Sequence, residues 1–177
     1  MTTQEEILKT ASDYRGRMIQ VSVEMETRMD IFISGYFRLT PEKQGELMLL
    51  VLGSVAVANK NSILEYILSI DRVDGKLDHR FNIKQYLKKI RDIENERNIF
   101  AHLPVDLSDE AQKIFKEKIG TITFVRMRPG SENKSPALGI PKIYDESRIN
   151  AAIKKVEDVN KILNALDIQR HGAPSQV

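Results

Sequence analysis

The chain has 177 residues, of which 41% are apolar and 29% charged, and its formal net charge is +2. That mix belongs to a folded, helix-rich chain with a substantial core rather than to a disordered one, and the near-neutral balance announces neither nucleic acid nor membrane. There is no cysteine, which excludes disulfides, thiolate nucleophiles and cysteine-based metal sites.

The polar, acidic N-terminus carries no signal-peptide pattern. From Gln4 to Tyr36 apolar residues recur at Ile7, Ala11, Tyr14, Met18, Val21, Met25, Phe32 and Tyr36. Steps of three and four predict one long amphipathic helix, of the kind used in a long bundle or a dimer seam. Arg28 falls on that stripe. Thr40-Pro41 reads as N-cap and first helical position, opening a helical stretch to about Ile70 with a break at Gly53-Ser54. The apolar run 47–58 within it is too short to span a bilayer, so no membrane partner and a cytoplasmic location are expected. Asp71 to Lys76 is turn chemistry. Asp71, Asp74 and Gly75 resemble a calcium loop only in part, because its twelfth position is Asn82 where a bidentate glutamate is required. A helix from Asn82 to His102 follows, ended by Leu103-Pro104, and Ser108 opens a short one to Lys118. The β-branched stretch 121–128 and the segment Leu138–Tyr144 predict a small hairpin. Asp145 then caps a last helix with its stripe at Ile149, Ile153, Val156, Val159, Leu163 and Leu166. The expected fold is mainly α, an up-and-down helical bundle with a long N-terminal helix and a small β-hairpin before the last helix. Residues 1–168 are expected to form a single domain and 169–177 a disordered tail.

Charge is uneven along the chain. Residues 112–142 hold seven lysines and arginines against Glu117 and Glu132, so a phosphate-bearing partner would be met there. Arg126, Arg128, Lys134 and Lys142 are the candidate phosphate contacts. The same charges also serve to keep an exposed hairpin edge unpaired.

The helix 82–102 carries the main anomaly. Ile83, Tyr86, Leu87, Ile90, Ile93, Phe100 and Ala101 share one face, and Arg97 sits in the middle of it, where another leucine belongs. A guanidinium there faces a cleft or finds buried partners. Glu94, Asn98 and His102 follow at spacings of four and form a polar ladder beside the stripe, in which Asn98 is placed to hold the His102 imidazole. A histidine can exchange a proton near neutral pH, and an arginine can bind a phosphate and the charge developing on it. Arg97 and His102 lie roughly 140° apart around the helix, so a straight rod does not set them side by side. On the residues alone, an Arg97 paired with Glu94 or with an acid from another helix and a His102 that caps the helix C-terminus are the commoner reading. His79, His102 and His171 are scattered, and no metal or other cofactor is expected.

Arg97-Asn98-Ile-Phe-Ala-His102, late on a helix of an all-α chain, resembles the signature of the HEPN superfamily, an arginine, usually a polar residue, then a histidine after four to six positions. The order of helices over about 5–167 is also similar to the bacterial members. The resemblance implies a metal-independent ribonuclease in which the RNA 2′-hydroxyl attacks its own phosphate, leaving a 2′,3′-cyclic phosphate and a 5′-hydroxyl. His102 would transfer the proton, Arg97 would bind the scissile phosphate, and Asn98 would position them, with Glu94 in support. It further implies an RNA partner, a homodimer through the motif helix or the long N-terminal helix, and a toxin–antitoxin or phage-defence setting with an antitoxin protein. Some family toxins carry a modified tyrosine four residues after the histidine; that position is Asp106, so this mode of control is not implied. Other members are non-catalytic RNA-binding or scaffold modules, which is the alternative.

Overall fold

The architecture comes from a computed structural model that describes residues 2–125 and 141–171. In chain order it has α1 (Thr3–Tyr36), α2 (Pro41–Glu46), a π-helical turn (Leu47–Val51), a 3-10 turn (Leu52–Ser54), α3 (Val57–Val73), α4 (Ile83–His102), α5 (Asp109–Glu117), β1 (Ile122–Phe124), β2 (Lys142–Tyr144) and α6 (Glu146–His171). The chain is thus mainly α, with a long first helix and an antiparallel strand pair before the last one, as the sequence predicts. Arg126, Arg128 and Lys134 lie outside the described residues.

The stripe of α1 is buried at Ile7, Ala11, Tyr14, Met18, Met25, Met29 and Phe32. Arg28, placed on that stripe by the sequence reading, is exposed, because the buried line steps by four from Met25 to Met29 and passes it. The second helical stretch also departs from expectation. Thr40 makes no side-chain cap bond, although Pro41 does open α2, and the regular helix gives way to the π turn at Leu47, ahead of Gly53. At the end of α3 the amide of Lys76 bonds the Asp71 carbonyl (2.8 Å) and that of Gly75 the Arg72 carbonyl (3.2 Å). This Schellman arrangement requires the left-handed φ of +71° that Gly75 adopts.

The chain packs as two compact units, residues 1–20 with 95–154, and residues 21–94 with 155–177. The first has an aromatic centre of Phe100, Phe124 and Tyr144, with ring centroids 5.1, 4.6 and 5.9 Å apart and edge-on geometry. Its two strands pair Ile122 with Tyr144, Thr123 with Ile143 and Phe124 with Lys142. The other edge of β1 is taken by the chain that leaves α4: Val105 bridges Phe124, and the Asp106 amide bonds the Thr123 carbonyl at 2.8 Å. With both edges occupied, all three residues of β1 are buried.

The second unit packs Phe32, Ile33, Leu64, Ile67, Leu68, Ile90 and Leu163 in its core, together with two buried ion pairs. The Lys60 ammonium lies 2.7 Å from one Asp30 oxygen and 2.8 Å from the other. The Arg170 guanidinium binds the Asp71 carboxylate, with Nε at 3.0 Å. That pair explains why α6 continues to His171 where a tail was expected from residue 169. It also gives Asp71, a partial match to a calcium loop by sequence, a structural partner.

Tyr14 fixes α1 to the segment entering β1. Its hydroxyl donates to the Gly120 carbonyl at 2.9 Å, and Gly120 has a left-handed φ of +87°, with any Cβ only 3.4 Å from that hydroxyl. Burial, with Glu146 adding to it, pushes the phenol up to about 12 from 10.0. A phenol with a raised folded-state value adds stability that is complete below its unfolded value and is lost as pH rises from there through the folded value. The melting temperature should therefore fall between about pH 10 and pH 12. Tyr14→Phe should flatten that fall, although Tyr86 and Tyr144, shifted the same way, retain their share. It should cost about 1 kcal/mol at neutral pH for the lost hydrogen bond. Thermal melts of both proteins across this range check it.

Candidate active site at the end of the fourth helix

The last turn of α4 is held from several sides. Leu103 donates its amide to Ile99 (3.0 Å), and Pro104, which has no amide hydrogen, stops the helix. The terminal carbonyls of a helix need outside donors. The Leu103 carbonyl gets one from Arg15 of α1, whose Nη2 lies 2.7 Å away. One residue on, the Pro104 carbonyl accepts from the Val125 amide at 3.1 Å. His102 is thus the final residue of a helix whose exit is pinned to β1 and to α1.

Arg97 is half-buried. Its Nη1 donates to Asn98 Oδ1 at 3.2 Å, while its Nε is buried without a hydrogen-bond partner. The bond to Asn98 is to a neutral amide. His102 is exposed, as a proton-transfer group must be to meet a substrate, and its imidazole makes no hydrogen bond among the described residues. Asn98, placed by the sequence to hold the imidazole, turns its side-chain oxygen to Arg97. Glu94 is half-buried and falls in the part of α4 that belongs to the second unit. Lys142 is exposed on β2, opposite Phe124.

Sequence reasoning missed Arg15. Its guanidinium stacks 5.4 Å from the centre of the Phe124 ring, and its Nε is buried without a partner. It is a second cation bound at the carbonyl next to His102. The available signal was the donor that a helix end before proline requires. What the site offers chemically is an arginine with unused donors, a solvent-facing imidazole and a further guanidinium on the rigid exit of one helix.

A different cavity of the first unit, of about 640 Å³, is lined by Glu6, Lys9, Asp13, Tyr14, Phe115 and Glu146 among others. It mixes charges of both signs and includes no histidine, and its tyrosine is held neutral. Among the described residues no group of three histidines, aspartates or glutamates is arranged to hold a metal ion, and no helix is long and apolar enough to cross a membrane. Comparison with family models, with curated proteins and with solved structures gives no match to this chain.

Proposed function

We propose that the chain is a HEPN-type, metal-independent endoribonuclease. The observation that carries this reading is Arg97, a charged group on the apolar face of α4 with a buried Nε that no described residue satisfies. A buried donor without a partner costs stability, and a ligand oxygen that reaches it would recover that cost. A phosphodiester oxygen is such a ligand. In the proposed reaction the 2′-oxygen attacks the adjacent phosphorus as the 2′-hydroxyl loses its proton. The bond to the 5′-oxygen breaks, and that oxygen takes up a proton. His102 carries the proton transfer, and the Arg97 fork stabilises the charge building on the non-bridging oxygens. Arg15 adds positive charge at the helix exit, on the Leu103 carbonyl.

The separation of Arg97 and His102 around α4 favours a site shared by two copies, the arginine of one facing the histidine of the other. A toxin–antitoxin or phage-defence setting, with an antitoxin as further partner, is what the resemblance would imply for such a dimer. Purified protein incubated with cellular RNA and a chelator should generate 2′,3′-cyclic phosphate and 5′-hydroxyl ends, read by end-specific ligation. Intact RNA after prolonged incubation would refute the enzymatic reading.

One observation favours the second reading, a non-catalytic RNA-binding or scaffold module: no neighbour among the described residues orients the His102 imidazole. That reading predicts RNA binding that weakens steeply with salt, without cleavage.

A further inference from the structure

Between residues 37 and 51 the second unit leaves apolar surface uncovered. Leu49 is 82% exposed, Leu50 76%, Phe37 53%, Val51 49% and Leu39 42%. Neither α2 nor the π turn buries a single residue. Helices this short do not hold themselves in water, where nucleation is costly and stability comes from packing an apolar face. Gln44 ties α2 to the end of α1 through Ser34 Oγ at 3.0 Å, and Leu52, 3% exposed, anchors the far end. Leu49 and Leu50, between these two anchors, are left largely uncovered by the described residues.

We infer that this segment is a self-association surface, covered by the same segment of a second copy. Area and charge select that occupant. Taking about 200 Å² for a large apolar side chain, these exposures come to roughly 600 Å². Apposed across a two-fold axis, two such faces bury about 1,200 Å², the lower end of specific interfaces. The twelve residues Leu47–Ala58 carry no charge. The flanking charges balance, Arg38 and Lys43 against Glu42 and Glu46. A face of no net sign has nothing to steer a charged partner or an anionic lipid surface, and with Lys43 already paired to Glu46 at 2.7 Å a second copy meets no excess of like charge there. This surface is separate from the α4 site and does not depend on the ribonuclease reading.

The test uses the full chain. Its mass in solution, by light scattering at tens of micromolar, should be that of an oligomer, and Leu49→Glu with Leu50→Glu should halve it while the circular dichroism spectrum is retained. Because the chain has no cysteine, single thiols report without background. Leu49→Cys should form a disulfide-linked dimer under mild oxidation at least tenfold faster than Val73→Cys, whose position is 87% exposed at the end of α3. That comparison decides the matter if the charged variant fails to fold. A monomeric wild type, an unchanged mass in the folded charged variant, or equal cross-linking at positions 49 and 73 overturns the inference. So does a monomer that sediments with neutral phosphatidylcholine vesicles, which would assign the face to lipid.

Discussion

Replacing Arg97 by alanine is expected to lower RNA cleavage by about a hundred- to a thousand-fold, the usual cost of removing one donor to a developing negative charge, while the melting temperature stays level or rises. The two halves of that result have one cause. A structural arginine buried with its carboxylate loses stability when truncated. Arg97 has one bond, to the neutral amide of its neighbour Asn98, and a buried Nε without a partner, so truncation removes an unmet donor together with a single bond between neighbours. Activity bought with local instability is the common pattern at working sites. Arg97→Met, which keeps most of the apolar stem, should match the alanine variant in activity and melt slightly higher. A fall of several degrees with cleavage intact would make Arg97 a packing residue. Cleavage rates on a defined RNA, paired with thermal melts of the same preparations, supply both readings.

Asp71→Ala should have the largest effect on stability, about 3–5 kcal/mol, because it strands a buried guanidinium. The side chains of Arg170 and Asp71 are 4% and 7% exposed. Arg170 also lies 4.1 Å from the centre of the Phe32 ring and reaches the Phe32 carbonyl at 3.4 Å. For a chain of this length that loss corresponds to a melting temperature lower by roughly 10 °C. The double change Asp71→Leu with Arg170→Met should recover most of it, since an apolar pair of similar volume removes the stranded charge as well as the bond. Urea denaturation of the single and double variants measures the coupling directly.

What the order of residues reveals and what it hides follow from the range of each interaction. The stripe of α1 and the helix stop at Pro104 are local patterns and are legible. Arg97 stands out for the same reason, as a charge interrupting a period. Arg15 is hidden because its partner is a backbone carbonyl 88 residues away, and a carbonyl has no sequence signature. Asp71 suggests a calcium ligand in its local context, while its actual partner Arg170 lies 99 residues further on. The π turn escapes notice because apolar leucines fit an α-helix as well as a π-helical one. The two units are equally silent, as α1, α4 and α6 contribute to both without a linker between them. Where the Asn98 oxygen points is a choice among local donors that spacing alone does not make.

The most direct test of the central claim, that Arg97 and His102 act together across two copies, is complementation between inactive variants. Arg97→Ala and His102→Ala, each alone, should cleave RNA at least a hundredfold more slowly than wild type. Mixed in equal amounts and allowed to exchange subunits, they should regain about a quarter of the wild-type rate, since half of the dimers then hold one intact pairing of two. A mixture as inactive as its parts would contradict a shared site, and full cleavage by the His102→Ala protein alone would contradict the proposed chemistry.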